Sequence, residues 1–289
     1  MTTPQRDYLT TRELAELLRV KERKIYDLAA AGEVPCRRIT GKLLFPRQEI
    51  EAWIGGNAGA TAKPDPAPIV AGSHDPLLDW ALREAGTGLG GFFDGSLDGI
   101  ERLADGGAVM TGMHVFEGPA GWNLGLVRDR FAGRPLVVLR WAKRRQGLIV
   151  PQGSDIARVV DLKGRLVSLR QATAGSRLLF DHFSAQAGLG LGDFSILGEV
   201  RTETEAATDV ASGRADAAFG LEAVARQYDL GFVPLIEEEF DLLVQQKAYF
   251  LPACQSLWAF CRSRRFTEKA TEFGGYDVSG LGEVRWVGS

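Results

Sequence analysis

The chain has 289 residues, 45% hydrophobic and 25% charged, the make-up of a globular protein with room for about two domains. A net charge of −3 excludes a uniformly basic nucleic-acid binder, so any DNA contact must come from a local patch. Cys36, Cys254 and Cys261 form no CxxC pair, which argues against a disulfide framework or a zinc site, and the sequence carries neither a secretory leader nor an apolar run of roughly twenty residues. A cytoplasmic protein with no membrane partner and no metal is expected.

The first helical signal is a capping pattern, with Thr10 as N-cap, Glu13 three residues on and Leu9 placed as a hydrophobic staple. Leu14, Leu17 and Leu18 supply an apolar stripe. After Arg19 and Val20, residues 21–31 read as a second helix with Ile25 and Leu28 inward and Gly32 as its stop. Two short helices joined by a tight turn are a helix-turn-helix signature, the second helix being the one that enters a major groove. Residues 36–45 read as a β-hairpin turning at Thr40, Gly41 and Lys42, a basic wing, and Pro46 opens a third helix over residues 47–53. Candidate DNA contacts are Lys21, Arg23, Lys24 and Tyr26 on the second helix, with Arg37, Arg38 and Lys42 on the wing. Because one such module neutralises few phosphates, two modules on two half-sites of double-stranded DNA, and hence a homodimer, are expected.

The runs LTTRELAELLRV, KERKIYDLAAAGEVP and RRITGKLLFPRQEIEAWI resemble the excisionase and MerR-type winged helix-turn-helix family, which implies DNA binding by residues 1–55. The Gly, Ala, Pro and Asp-rich stretch that follows reads as a flexible linker over residues 56–68.

From Ile69 to the end, short apolar runs alternate with amphipathic ones: IVAGS then PLLDWALREA, GGFFDGS then LDGIERLADG, AVMTGMH, LVVLRWA, GLIVP, RLVSLR then SRLLFDHFSAQAG, FSILGEV then ETEAATDVASG, and ADAAFG. This is an α/β pattern, in which ligands sit beyond the carboxyl ends of strands. Four strand-end loops stand out, carrying Ser73 and His74, Ser96, His114, and the stretch from Arg170 to Arg177. Ser73, Ser96 and Ser176 are placed where helices begin; they can cap their own helices, offer hydroxyls beside free N–H groups to an anion, or do both.

GSHDPLLDWAL, DGSLDGIERLADGGAVMTGMHVFEGPAGWN, RQATAGSRLLFD and ASGRADAAFGLEAVARQYDLGFVPLIEEEFDLL resemble the periplasmic-binding-protein-like domain associated with molybdate metabolism. The resemblance implies a two-lobed type II periplasmic-binding-protein-like fold with crossings near residues 139–147 and 216–222, closing on a molybdate- or tungstate-like oxyanion or a related metabolite. The implied ligand residues are Ser73, His74, Ser96, His114, Asn123, Arg170, Thr173, Gly175, Ser176 and Arg177, with Trp122 beside Asn123 lining the cleft or bracing its loop. Three places depart from the family pattern: Leu169 stands where an Asn is usual, Thr173-Ala174-Gly175-Ser176-Arg177 where Gly-Ser-Gly-Thr-Arg is usual, and Glu203 where a His is usual. A carboxylate beside an anion is unfavourable, so either Glu203 points away or the ligand is not a simple dianion.

No Gly-x-Ser-x-Gly elbow, P-loop or His-Glu-x-x-His occurs, and no enzyme or cofactor is expected. The reading that results is a one-component transcriptional regulator that senses a small anion. The alternative is a ligand-binding accessory protein of molybdenum metabolism whose helical module docks a partner protein.

Overall fold

Thr10 ends one element and starts the next. It closes β1 (Tyr8–Thr10) and caps α1 (Thr11–Leu18), its hydroxyl accepting from Glu13 N–H while the Glu13 carboxylate accepts from Thr10 N–H at 2.8 Å. Arg19, in the left-handed region at φ 54°, turns the chain into α2 (Glu22–Ala30), and Gly32 at φ 71° ends it. The hairpin of β2 (Arg37–Ile39) and β3 (Lys42–Pro46) joins β1 in a sheet of order β1-β3-β2, followed by α3 (Arg47–Ala52). Leu9, Leu14, Ala15, Ile25, Val34, Phe45 and Ile50 form the core. Leu17, expected inward, is exposed: the buried face of α1 is Thr11, Leu14 and Ala15 with half-buried Leu18, the spacing a 3.6-residue period selects.

The computed structural model describes residues 7–39, 41–54 and 66–288, so Thr40 of the expected hairpin turn and most of the expected linker lie outside the described residues. The chain divides into two units, Met1–Asp65 and Pro66–Ser289.

In the second unit β4 (Ile69–Gly72), α4 (Pro76–Glu84), β5 (Gly90–Phe92), α5 (Ser96–Ala104), β6 (Met110–Met113) and α6 (Leu124–Phe131) build a first lobe. The 15-residue β7 (Leu136–Val150) leads into a second lobe of β8 (Leu166–Arg170), α7 (Gly175–Gln186), β9 (Ser195–Val200), α8 (Glu203–Ala211), β10 (Ala217–Leu221) and α9 (Glu222–Gln227). A second 15-residue strand, β11 (Gly231–Gln245), returns to the first lobe. There α10 (Gln246–Tyr249), α11 (Pro252–Cys261), α12 (Arg264–Phe273), β12 (Tyr276–Asp277) and β13 (Val284–Val287) follow.

Both lobes repeat one topology. The first runs β5-β4-β6 in parallel and then meets antiparallel β11; the second runs β9-β8-β10 in parallel and then meets antiparallel β7. Neighbouring residues face opposite layers, Val70 and Leu242 toward one core and Ala71 and Leu243 toward the other, so each sheet is covered by helices on both sides.

The crossings are therefore β7 and β11, which pair with each other along their length. The first includes the expected 139–147. The second does not lie at 216–222: those residues belong to β10 and the start of α9, inside the second lobe between β8 and β7. Strand β11 breaks register between Pro234 and Ile236 and again between Phe240 and Asp241, which brackets the stretch where the strands leave one lobe for the other. A Cβ at Gly147 would lie 2.0 Å from Val233 O, so glycine alone permits this strand approach.

Candidate functional site

Charge organises the crossing. The basic run of Lys143, Arg144 and Arg145 on β7 lies in register with Glu239, Glu238 and Glu237 on β11. Lys143 pairs with Glu237 at 3.1 Å, Arg145 with Glu222 at 2.7 Å, and Arg140 with Glu239 at 3.4 Å. At the centre Arg144 is fully buried, ion-paired to both Glu238 and Asp75 and lying over the Phe240 ring at 4.0 Å. Burial alone would raise the Glu238 carboxyl, yet Arg144 and His114 overcome it and hold the group below its ordinary value.

This network anchors the strand-end loops of the first lobe. Asp75 accepts from Leu78 N–H at 2.6 Å as the N-cap of α4, from Trp141 Nε1 at 3.0 Å, from Tyr276 OH at 2.6 Å and from Arg144 at 2.9 Å. Ser73 therefore precedes the cap by two residues instead of starting the helix, because the carboxylate of Asp75 takes the N–H groups. His114, buried, meets Glu238 through Nδ1 at 2.6 Å. Its backbone N–H donates to Ser96 Oγ at 3.2 Å, and Ser96 and Ser73 hydroxyls share a 2.8 Å hydrogen bond. Ser73, Ser96 and His114 thus form one buried cluster.

The second lobe presents Arg170 at the end of β8 and Ser176 at the start of α7. Arg170 is 3% exposed and forms no ion pair among the described residues; Nε donates to Gln171 Oε1 at 3.2 Å, and Nη2 has no hydrogen-bond partner. Burial holds its guanidinium below the ordinary value, partly offset by Glu203 and Glu205. Ser176 is 1% exposed with its hydroxyl unpartnered, and α7 has no side-chain cap, its N-cap being Ala174. None of the three serines caps its own helix: Ser96 follows the N-cap Gly95, and Ser176 is the second residue of its helix.

The lobes are closed on each other. Thr173 Oγ1 donates to Asp98 at 2.7 Å, Gln171 Nε2 donates to Asp94 O, and a Cβ at Gly175 would lie 2.8 Å from both Nε2 and O of His114. His74, in the first lobe, is mostly buried with Nδ1 unpartnered, and burial holds its ring below the ordinary histidine value.

Other expected site residues serve elsewhere. Asn123, at φ 67°, accepts from Val115 N–H at 2.7 Å and donates to Asp241 at 2.7 Å and Glu239 O at 3.1 Å, so its amide braces the loop against β11. Trp122 packs on Phe116 and in the core of the second lobe. Arg177 pairs with Asp181 at 3.0 Å and Glu199 at 3.7 Å. Glu203 is buried at 1% exposure, accepts from Leu221 N–H at 3.0 Å and packs beside Gly220 of β10. Sequence reasoning missed Asp75, Arg144, Glu238 and Gln171, although the opposite-charge runs at 143–145 and 237–239 were visible.

In the N-terminal unit, Lys21, Arg23, Lys24 and Tyr26 are exposed on or beside α2. Arg38 and Lys42 line one groove with Tyr26 and with Arg12, which was not expected there. Arg37 is committed to Glu49 at 2.8 Å.

Residues 80–262 match the PBP superfamily domain, more than half of the chain. The chain belongs to that family. Residues 8–58 match a helix-turn-helix domain, placed ahead of the PBP domain. YvgK of Bacillus subtilis (strain 168), named only as uncharacterized, is 24% identical over 302 residues, covering 95% of this chain and 96% of the relative. An uncharacterized protein in the ferredoxin 2Fe-2S gene 5′ region of Clostridium pasteurianum is 31% identical over 100 residues, 33% of this chain and 88% of that one. Among solved structures, an ABC-type phosphate transport receptor from Vibrio cholerae matches with a TM-score of 0.47 at 14% identity, covering 72% of this chain and 98% of that chain. An ancestral arginine-binding protein matches with a TM-score of 0.44 at 17% identity, covering 72% and 97%. No helix among the described residues is long and apolar enough to cross a membrane.

Proposed function

We propose that this protein is a one-component transcriptional regulator, cytoplasmic and acting as a homodimer, whose helix-turn-helix domain binds double-stranded DNA and whose PBP domain closes on a small anion. One observation carries the sensing half: among the described residues Arg170 is a buried guanidinium with no ion pair and an unpartnered Nη2, accompanied at the start of α7 by the unpartnered hydroxyl of Ser176. A buried charge without a counter-ion is costly, and an anion bound at a helix start relieves it. Ser73, Ser96 and His74, on strand-end loops of the first lobe, are the further donors assigned to the site in this reading. The helix-turn-helix match and the exposed basic residues of α2 and the wing support the DNA-binding half.

The test has two arms on the full chain. A thermal-shift screen of molybdate, tungstate, sulfate, phosphate and small carboxylates should find an anion that at a hundred times its Kd adds about 2.7 kcal/mol of stability. A mobility-shift assay on the DNA upstream of the protein's own gene should detect binding that weakens steeply with salt. DNA binding that fails even at low salt would favour the alternative, a ligand-binding accessory protein whose N-terminal module docks a partner protein.

A further inference from the structure

One loop of the first lobe is seated in the second. Residues 114–123 connect β6 to α6, but their aromatic side chains leave the lobe that carries them. Trp122, 8% exposed, belongs to the second-lobe core with Leu169 and Phe180, and Phe116 packs on the same cluster. The Phe116 ring lies 5.1 Å from that of Trp122 and 4.9 Å from that of His182 on α7, centroid to centroid. Both ends of the loop stay with the first lobe. The Glu117 carboxylate accepts from Gly125 N–H at 2.9 Å and Leu126 N–H at 2.6 Å, taking up free N–H groups at the start of α6. A bridge between Phe116 and Trp122 and a bond from Glu117 N–H to Gly121 O at 2.8 Å make the loop a closed hairpin rather than a slack connection.

This hairpin runs beside the stretch of β11 where the chain passes between lobes, bracketed by the register breaks at Pro234/Ile236 and Phe240/Asp241. At one end of that stretch the Asn123 amide donates to Glu239 O at 3.1 Å and to Asp241 at 2.7 Å. At the other, the cluster that receives Trp122 and Phe116 includes Leu235 and Ile236. A bend of the crossing that parts the lobes must therefore draw the two rings out of the second-lobe core or break the Asn123 and Glu117 anchors. Exposing packed aromatic rings to water is unfavourable, so the rings oppose the bend.

We propose that residues 114–123 are a strap across the crossing that holds the lobes together and sets how often the cleft opens. His182 joins the strap to α7, the helix whose first residue, Gly175, packs against His114 of the first lobe. The strap and the contact across the cleft thus act on one helix. The device does not depend on what the cleft binds, so it stands or falls separately from the anion-site reading.

Hydrogen exchange of the full chain, followed by mass spectrometry, tests it. In Phe116→Ala, and separately in His182→Ala, the segments that meet across the cleft, residues 94–98 and 171–176, should exchange about three-fold faster or more, the scale of one aromatic contact in an opening equilibrium. Strands β8 and β10 of the second-lobe core should keep wild-type protection in both variants. Phe116→Tyr, which keeps the ring, should exchange as wild type does. Because His182 is only half-buried on α7, its replacement leaves the second-lobe core filled and decides the matter even if Phe116→Ala fails to fold. Unchanged exchange of 94–98 and 171–176 in His182→Ala, or in a folded Phe116→Ala, overturns the strap. So does faster exchange spread evenly over β8 and β10, which would show the rings acting only as core of the second lobe.

Discussion

Arg170 separates a binding site from a structural ion pair. Replacing a buried charge that forms no ion pair among the described residues by an apolar side chain of similar length removes a desolvation penalty, so Arg170→Met should leave the unliganded protein as stable as wild type or up to about 2 kcal/mol more stable. The same change should erase any anion-induced shift in melting temperature. Scanning calorimetry with and without the anion checks both, and a large loss of stability would mark Arg170 as a structural residue. Asp241 offers a second test. Burial pushes its carboxyl up to about 6, against the pull of Arg285 and Asn123. A carboxyl raised on folding contributes stability that is complete below about pH 4 and is lost as pH rises through about 6. Relative to Asp241→Asn, wild type should therefore lose up to about 3 kcal/mol between pH 4 and pH 7, measured by urea unfolding at each pH. A stability difference that does not change over this range would contradict the assigned environment.

At the scale of elements, β7 and β11 carry both the fold and the site. Arg144 on β7 compensates Asp75 and Glu238 together, so Arg144→Met leaves two buried carboxylates exposed to each other and should destabilise the protein by about 3–5 kcal/mol in urea melts. A loss below about 1 kcal/mol would mean that the crossing does not depend on this network. Gly175 packs directly against His114 of the first lobe, and an alanine Cβ there would meet it at 2.8 Å. Gly175→Ala should hold the lobes apart, weakening ligand binding while each lobe keeps its core; small-angle scattering should report a larger radius of gyration. Much of this architecture was legible in the residues. The capping box of Thr10 and Glu13 and the strand-end placement of Arg170 and Ser176 follow from local signals, and the first crossing came from the family resemblance. Strand β11 was not, because Glu237, Glu238 and Glu239 read alone as a solvated acidic run. Only their pairing with basic residues of a strand 94 positions away, as between Arg144 and Glu238, explains them as strand. Ser73 was placed as a helix start for a related reason, since its neighbour Asp75 caps equally well and only tertiary partners for that carboxylate decide between them.

For the whole molecule, a helix-turn-helix domain precedes a PBP domain, and the proposed regulation requires ligand and DNA to act on one conformational equilibrium. A ligand can move DNA affinity only by as much as it prefers the closed cleft, and the influence is reciprocal. If the basic residues of α2 and the wing contact phosphates as proposed, removing Lys24 or Arg38 should each lower the slope of log DNA affinity against log salt by about one phosphate contact, without altering the ligand's Kd. The most direct measurement is fluorescence anisotropy of labelled upstream DNA with the full chain, with and without a saturating amount of whichever anion raises its melting temperature. The account predicts a change in DNA affinity of about five-fold or more in wild type and none in Arg170→Met. Identical affinity with and without that ligand in wild type would contradict it.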